Sequence, residues 1–280
     1  MTVEAIPAQK HIIKPSRAWL DLGLRELWDY RELVYFLIWR DVKVRYKQTL
    51  FGAGWAILKP FLGMVVFSII FGRLAGLSTD GLPGPVFYFS GLLPWILFQD
   101  GVSKSGMSLV AGRSLLTKVY FPRLAMPLAS VSAGLVDLGL SFLVLLGLII
   151  YFSTSFGGQW WAAPLFVAWG LLASIGVGLW LSALNVLYRD VSYVTPFLLQ
   201  AWFFATPVVY PATLIPEGPW RLLYSLNPMA GVVQGFRWAM LEVGEAPGPL
   251  AAISFGMTIL ILLSGVVFFR RMERGFADVI

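Results

Sequence analysis

The chain lacks several of the residue types on which enzyme active sites depend. Its 280 residues include no cysteine and a single histidine, His11. Without cysteine it can form neither disulfides nor thiolate nucleophiles. One histidine excludes His-based triads and HExxH zinc sites. The phosphate-binding sequence GxxxxGK[ST] is also absent. We therefore expect no catalytic residue, no metal site and no cofactor in this chain.

Charged residues are scarce as well. They make up 13% of the chain, against 58% hydrophobic residues, and the mean hydropathy is +0.76. Soluble domains carry about 25% charged residues, and a buried core cannot account for the difference because most residues of a domain this size still contact solvent. The composition therefore predicts that lipid surrounds much of the surface, and that the chain is an all-α integral membrane protein.

Six segments are predicted to be transmembrane helices. A hydrocarbon core of about 30 Å requires about 20 apolar residues in a helix. The candidate segments cover approximately residues 54–74, 86–101, 126–152, 163–187, 194–210 and 250–269. The second is short and rich in aromatic residues.

Most of the 21 basic residues would lie on one side of such a membrane. They precede the first segment, separate the second from the third, and follow the last. This bias predicts that both termini are cytoplasmic. Lys59 and Arg73 lie at the two ends of the first segment, from which their long side chains can reach the headgroups.

A basic, aromatic stretch, WRDVKVRYKQTLFGAGW at residues 39–55, precedes the first segment. Trp39, Val42, Tyr46 and Leu50 share one arc of a helical wheel, and the cations form the adjacent stripe. This pattern is typical of an amphipathic helix in the headgroup plane. Anionic lipids account for the net charge of +6 without a nucleic-acid partner.

Two acidic residues lie in or near the predicted membrane segments. Asp100 precedes Lys104 by four residues, which predicts an ion pair on one helix face. Asp137 is open to two interpretations. It could serve in proton-coupled transport, but we favour a hydrogen bond with Ser132 or Ser141, each about one turn away.

The stretch between the second and third segments, residues 103–125, combines apolar residues at helical spacing with the sequence KVYFPRL. Pro122 disfavours helical geometry at the residue before it, so we expect a short helix or two within residues 108–119, followed by a rigid tip. The stretch is either an interfacial connector or a coupling element that inserts Tyr120 and Phe121 into a partner protein.

Residues 205–228 contain five prolines, which exclude one continuous helix. Non-helical backbone at membrane depth must be buried in protein or line water. We therefore expect re-entrant structure on the external side, within residues 211–248. Its charged groups Glu217, Arg221 and Arg237 are interpreted either as rim or gating residues or as parts of a solvated loop.

Aromatic residues, 15% of the chain, also occur inside the predicted segments. Aromatic rings stack on the apolar faces of sugars without a fixed hydrogen-bond pattern, much as they stack on bases in single-strand channels. They could therefore line a polymer path, or they could face lipid or pack the helix bundle. The candidates are Tyr88, Phe89, Trp95, Phe98, Trp202, Phe203, Phe204 and Tyr210.

Four motifs occur in order along the chain: WRDVKVRYKQTLFGAGWAILKP at 39–60, LLTKVYFPRLAMPLA at 115–129, NVLYRDV at 185–191 and SLNPMAGVVQGFRWAML at 225–241. Over about residues 30–275 the sequence resembles the transmembrane subunit of ABC-2-type exporters of bacterial surface polysaccharides (O-antigen, capsule and teichoic acid). The resemblance implies a homodimer in the bacterial cytoplasmic (inner) membrane. It also implies two copies of a cytosolic subunit that binds ATP and magnesium, and a lipid-linked polysaccharide substrate, with O-antigen as the first choice.

The resemblance also divides the chain. It implies an interface helix within 30–52. Together with the predicted segments and the charge bias this gives a cytoplasmic tail at 1–29, a six-helix domain at 53–270 and a cytoplasmic tail at 271–280. Contacts with the ATPase are expected from Asp41, Arg45, Lys118, Tyr120, Phe121, Pro122, Arg123, Arg189 and Asp190. The external re-entrant helices are expected to include Arg221, Asn227, Pro228 and Arg237.

Two alternatives stay open. The same fold could export a small hydrophobic compound or a lipid, and a lateral apolar pocket would favour that function. A protein of another class, either a membrane scaffold or a membrane-embedded enzyme, is the second alternative. The lack of cysteine, of clustered acids and of all but one histidine argues against catalysis.

Overall fold

The structure is a computed structural model that describes residues 24–47, 49–273 and 275–276. Within these residues the regular structure is helical and no residue lies in a β-strand, which confirms the all-α prediction. Most of the predicted N-terminal tail, residues 1–23, lies outside the described residues, as do residues 274 and 277–280 of the predicted C-terminal tail.

Twelve α-helices are defined in the described part of the chain. They are α1 (Leu24–Asp29), α2 (Arg31–Tyr46), α3 (Gly54–Phe67), α4 (Gly84–Ala111), α5 (Arg113–Leu116), α6 (Ala125–Ser132), α7 (Gly134–Tyr151), α8 (Ala163–Leu187), α9 (Val191–Phe204), α10 (Pro219–Ser225), α11 (Pro228–Leu241) and α12 (Pro249–Glu273). A π-helical segment, Ser68–Leu74, continues α3, and short 3₁₀ turns occupy Trp160–Ala162 and Ala212–Leu214.

Four helical segments of the described chain are long and apolar enough to cross a membrane. They are Gly54–Leu74, Ala125–Tyr151, Trp160–Leu187 and Pro249–Glu273. The chain is thus a multi-pass membrane protein, and six crossings stay a prediction. Two ends of the helix bundle are distinguished below. The α2 end carries α2, α5 and residues 188–190, and the α10 end carries α10 and residues 152–162.

Helix α4 is the centre of the bundle and packs against α3, α6, α7, α8 and α11. Its residues 86–95 are buried, with Val86 and Phe87 at 0% exposure. The helix has 28 residues and continues well past Gly101, where the second membrane segment was predicted to end. Asp100 and Lys104 pair with each other on its surface. Over residues 108–119, where a short helix or two was predicted, the structure has the last turn of α4, which ends at Ala111, and the four-residue α5.

The fifth predicted segment, 194–210, also differs from the structure. Helix α9 covers 14 residues and ends at Phe204. Turns follow over residues 205–208, where Pro207 lacks the backbone N–H that a further helical bond would need. At about 1.5 Å per residue, α9 is shorter than the apolar core of a bilayer.

Helix α2 rests on α6 through the buried residues Leu37 and Val42. The predicted arc of Trp39, Val42, Tyr46 and Leu50 is therefore divided. Val42 faces the protein and Trp39 is 50% exposed, while Leu50 lies beyond the end of the helix. Packing against α6 sets the inward face of α2, and the helix position in the headgroup plane stays a prediction.

Helices α8 and α12 approach each other closely where two glycines meet. A Cβ atom on Gly265 would lie 2.5 Å from the backbone oxygen of Gly176, and one on Gly176 would lie 2.9 Å from the Cα of Leu262. Small residues of this kind allow backbone approach in membranes, where packing replaces the hydrophobic effect between helices.

We predict that Gly265→Ala lowers the free energy of unfolding by about 1–3 kcal/mol, because the methyl group forces the two backbones apart. The matched control is Gly256→Ala in the same helix, where nothing lies within 4 Å of the added Cβ. This control should be neutral or more stable by about 0.5–1 kcal/mol. Thermal unfolding in detergent measures both variants, and equal shifts would contradict the close-approach interpretation.

Candidate functional site

The first candidate site is the loop between α4 and α6 at the α2 end. Of the predicted ATPase contacts in this loop, Lys118 and Tyr120 are exposed, whereas Phe121 and Pro122 are buried. Phe121 packs in a second core cluster with Leu37 and Met126. The loop therefore presents Tyr120 at its surface and uses Phe121 as its anchor.

Residues near the C-terminus, Glu273 and Phe276, contact this loop through Arg123. Arg123 donates a hydrogen bond of 2.5 Å to the backbone oxygen of Glu273, and its guanidinium lies 5.8 Å from the ring centre of Phe276. Phe276 is fully buried and packs edge-on against Phe269. The predicted plain tail at 271–280 thus includes a structural anchor. The sequence signal that could have revealed it is the aromatic residue Phe276 itself.

Helix α1 contributes to the same loop through Glu26. The Tyr120 hydroxyl donates to the Glu26 carboxylate at 3.5 Å, and Glu26 lies 3.9 Å from Arg270 of α12. Desolvation and the nearby Glu26 carboxylate raise the pKa of the Tyr120 hydroxyl, so this group stays protonated at neutral pH. Residues from three distant parts of the chain therefore position the loop tip.

A second exposed loop, between α8 and α9, lies at the same end. The predicted coupling residues Arg189 and Asp190 are exposed there, and Tyr188 is 62% exposed. The Asn185 amide donates to the backbone oxygen of Gly106 at 2.9 Å, which places the end of α8 beside the end of α4. The two loops thus form neighbouring surfaces at the α2 end.

Asp41 and Arg45, two further predicted ATPase contacts, point into the chain. Asp41 accepts a hydrogen bond of 3.1 Å from Ser130 and pairs with Arg40 at 2.8 Å. Arg45 pairs with Asp137 at the start of α7. In this structure both side chains join α2 to α6 and α7, and a contact with an ATPase stays a prediction.

Asp137 does not use the serines that were expected to be its partners. Its carboxylate accepts hydrogen bonds from Arg45 and from the Tyr46 hydroxyl. Ser132 donates to the backbone oxygen of Leu128 at 2.8 Å and Ser141 to that of Ala56 at 2.7 Å, so the predicted serine bond is wrong. The pairing of this carboxylate with Arg45 is a structural ion pair between α7 and α2.

The predicted ion pair between Asp100 and Lys104 is confirmed, with 3.5 Å between its charged atoms. Lys59 of α3 adds a closer contact of 2.7 Å to the same carboxylate. Lys104 also lies 3.9 Å from Asp137. The two acids therefore belong to one charged cluster that joins α2, α3, α4 and α7.

The aromatic residues predicted for a polymer path form two groups. Tyr88, Phe89, Trp95 and Phe98 of α4 are at most 1% exposed. They fill the interior of the chain and reach no surface in this structure. Phe203 is also buried and contacts Trp95, with 5.5 Å between the ring centres.

The second group of aromatic residues reaches the surface near the α10 end. Phe204 is 52% exposed, and Trp202 and Tyr210 are half-buried. Trp202 lines an open groove of about 510 Å³ together with Trp220 and Tyr224. Any role of these residues in substrate passage stays a prediction, and the groove supplies the aromatic surface that such a role requires.

Helix α11 is anchored at its start by Asn227. Its side-chain oxygen accepts hydrogen bonds from the Met229 backbone N–H at 3.0 Å and from the Trp202 indole at 2.9 Å. Its amide group donates to the backbone oxygen of Ala205 at 3.0 Å. Asn227 is thus an N-cap, and Pro228 occupies the first helical turn, where its missing N–H costs nothing.

Arg237 of α11 was predicted to be a rim or gating residue, and the structure contradicts that position. The residue is 3% exposed. Its guanidinium donates to the backbone oxygens of Phe87, Pro207 and Val208 at 3.1–3.3 Å, and lies 3.8 Å from the Phe87 ring centre. A buried charge requires such hydrogen bonds, so Arg237 fastens α11 to α4 and to the turn after α9.

Gly91 makes room for this arginine. A Cβ atom at position 91 would lie 2.4 Å from the Arg237 guanidinium and 2.7 Å from the backbone oxygen of Val208. Arg221, the other predicted external arginine, pairs with the exposed Glu245 and Glu217 instead. The hydrogen bond with Glu245 raises the pKa of Arg221. The two arginines therefore have different roles, one internal and one at the surface.

We predict that Arg237→Met lowers the free energy of unfolding by about 2–4 kcal/mol, because several buried carbonyl oxygens lose their donor. The control is Arg221→Met, which removes a surface ion pair and should cost less than about 1 kcal/mol. Thermal unfolding in detergent separates the two effects. Similar losses in both variants would show that burial of Arg237 does not matter.

The chain matches a family model described as ABC-2 type transporter over residues 32–241. This range runs from α2 to the last residue of α11 and includes both exposed loops at the α2 end. The match therefore covers the candidate coupling surfaces and most of the helix bundle.

Three relatives are similar over most of their length. The O-antigen export system permease protein RfbA of Myxococcus xanthus is 34% identical over 89% of this chain and 96% of its own length. The polysialic acid transport protein KpsM of Escherichia coli is 25% identical over 85% and 92%. The inner membrane transport permease YadH of Escherichia coli (strain K12) is 23% identical over 74% and 83%.

Proposed function

The chain belongs to the ABC-2 type transporter family, and from this premise we propose that it forms the channel of an ATP-driven exporter. The proposed substrate is a lipid-linked cell-surface polysaccharide, with O-antigen as the first choice. As a permease of this family it is a transport subunit and not a catalytic one. ATP is bound by a partner nucleotide-binding subunit.

The assignment of a polysaccharide substrate depends on the similarity to RfbA of Myxococcus xanthus, which is 34% identical over 89% of the chain. KpsM, named for the transport of another polysaccharide, supports the same substrate class. Capsule or teichoic acid would fit the same machinery. A small hydrophobic compound or a lipid is the alternative, because the open groove near the α10 end has apolar as well as aromatic lining residues. The names of the two relatives favour the polysaccharide.

The filled interior of a single chain favours a polymer path that lies between two copies of the chain. Trp95, Tyr88 and Phe98 fill the space around α4, so a hydrated polymer has no room among these helices. Two copies about a two-fold axis, the commonest oligomeric symmetry, would enclose a path between them. We therefore propose a homodimer whose path is lined by the surface aromatics Trp202, Phe204 and Tyr210.

The orientation we propose places the α2 end in the cytoplasm. Lys118 and Arg189 are exposed at this end, in agreement with the bias of basic residues toward the cytoplasmic side. Both termini would then be cytoplasmic, and α10 and α11 external. YadH is named as an inner membrane permease, and we propose the same membrane for this chain.

In that orientation the loop tip at Tyr120 and the exposed residues 188–190 would contact two copies of the ATPase subunit. Buried aromatic contacts carry much of the energy of protein interfaces. Tyr120 is 60% exposed, so most of its side chain is accessible to a partner groove while its hydroxyl bonds Glu26. Phe121 would act indirectly, because its burial holds the loop in place.

We predict that Tyr120→Ala weakens binding of the ATPase subunit by about tenfold, because one interface aromatic is lost. Co-purification and the affinity of the detergent-solubilised complex measure this effect. Tyr151→Ala, which removes an 80% exposed tyrosine at the α10 end, is the matched control and should bind normally. If Tyr120→Ala binds like the control, the docking surface lies elsewhere.

The substrate assignment is tested in cells. Deleting the gene should remove a surface polysaccharide and leave its lipid-linked precursor in the inner membrane. Restoring the gene with Phe204→Ala should lower export by about tenfold relative to the intact gene, because one stacking surface is lost. The control is Phe156→Ala, at a residue that is 47% exposed. Polymer extraction and electrophoresis provide the measurement, and unchanged surface polymer after deletion would refute the proposal.

A further inference from the structure

A cavity of about 190 Å³ opens at the α2 end, between the end of α2 and helices α3, α4 and α7. Most of its wall is apolar and includes Pro60, Leu93, Leu97 and Leu138. Trp55, in the first turn of α3, also lines the cavity and is 48% exposed. The cavity thus combines an apolar wall with an aromatic residue of the kind that membranes place at headgroup level.

The charged cluster described above forms the polar side of this cavity. It contains three cations, Arg45, Lys59 and Lys104, and two anions, Asp100 and Asp137. The Asp137 carboxylate accepts hydrogen bonds from Arg45 and from the Tyr46 hydroxyl. Lys59 and Lys104 share the carboxylate of Asp100, at 2.7 and 3.5 Å, and Lys104 also lies 3.9 Å from Asp137. The cavity wall therefore has an excess of one positive charge, on the side of the two lysines.

Both lysines can reach a further anion. Their side chains are 52% and 38% exposed, for Lys59 and Lys104 respectively. A lysine ammonium has three donors on a flexible stem, so a group that bonds Asp100 keeps donors for a second acceptor. Desolvation at the rim of an apolar cavity would strengthen such a contact.

We infer that this cavity is a binding site for a membrane phospholipid, with the phosphodiester between Lys59 and Lys104 and the first part of an acyl chain against Leu93 and Leu97. One phosphodiester carries a single negative charge, which matches the excess of one positive charge. Free phosphate would leave the apolar wall without a partner, and an uncharged lipid would leave the excess charge without one. The bound lipid would connect the end of α2 with α3.

The test uses the full chain purified in mild detergent with its ATPase subunit, and dioleoyl phosphatidylglycerol as the probe. Native mass spectrometry gives the dissociation constant. Lys59→Gln should weaken binding about fivefold, since one lysine near a lipid phosphate contributes about that factor. Asp100→Asn should tighten binding by a similar factor, because it raises the excess charge. A purely structural role for the cluster predicts weaker binding in both variants.

Two further variants separate the cavity from the surface around it. Leu138→Trp fills the cavity without changing any charge and should weaken binding at least fivefold. Lys43→Gln removes a cation from the exposed face of α2, where its ammonium lies 5.4 Å from the Trp39 ring centre, and should leave binding unchanged. These variants decide the matter even if Asp100→Asn fails to fold.

The inference fails if Leu138→Trp binds phosphatidylglycerol like the unaltered chain, or if Lys43→Gln weakens binding as much as Lys59→Gln. It also fails if dioleoylglycerol, which lacks the phosphate, binds equally well. Displacement of the lipid by inorganic phosphate at matched concentration would instead assign the site to a free anion and overturn the phospholipid.

Discussion

The structure depends on one constraint, that a charged or polar group at membrane depth must find its partner within the protein because lipid offers none. Three charged groups described here join separate helices in this way. Arg237 joins α11 to α4 and to the turn after α9. Asp137 joins α7 to α2, and Asp100 joins α4 to α3. These polar contacts act together with the close packing of small residues in determining which helices lie side by side.

Local patterns predicted much of the fold but not the partners of distant residues. Asp100 and Lys104 are four residues apart on one helix, so their pairing could be predicted from spacing alone. The partners of Asp137 are 91 and 92 residues away in the chain, where no local rule applies. The nearby serines take backbone carbonyls instead. The burial of Arg237 was missed for the same reason, because its acceptors come from other elements.

The aromatic residues illustrate a second limit of sequence patterns. Composition identifies rings inside the predicted segments but cannot tell which of them face another helix of the same chain. The structure places Trp95 in the interior and Phe204 at the surface. This division bears on the proposed export path, since a filled interior leaves that path to the space between the two copies of the proposed homodimer. The groove beside Trp202 and the loop at Tyr120 then lie at opposite ends of the bundle, so the proposed energy input and the proposed exit are separated by the full length of the helices.

The Arg237 contacts also have a consequence for the order in which the protein assembles. All the oxygens that accept from Arg237 belong to residues that precede it in the chain, at Phe87, Ser90, Pro207 and Val208. An arginine without these acceptors would be costly at membrane depth. The position of α11 against α4 and the turn following α9 thus depends on acceptors that are made earlier in the chain. Vectorial synthesis from the N-terminus supplies the acceptors before their donor.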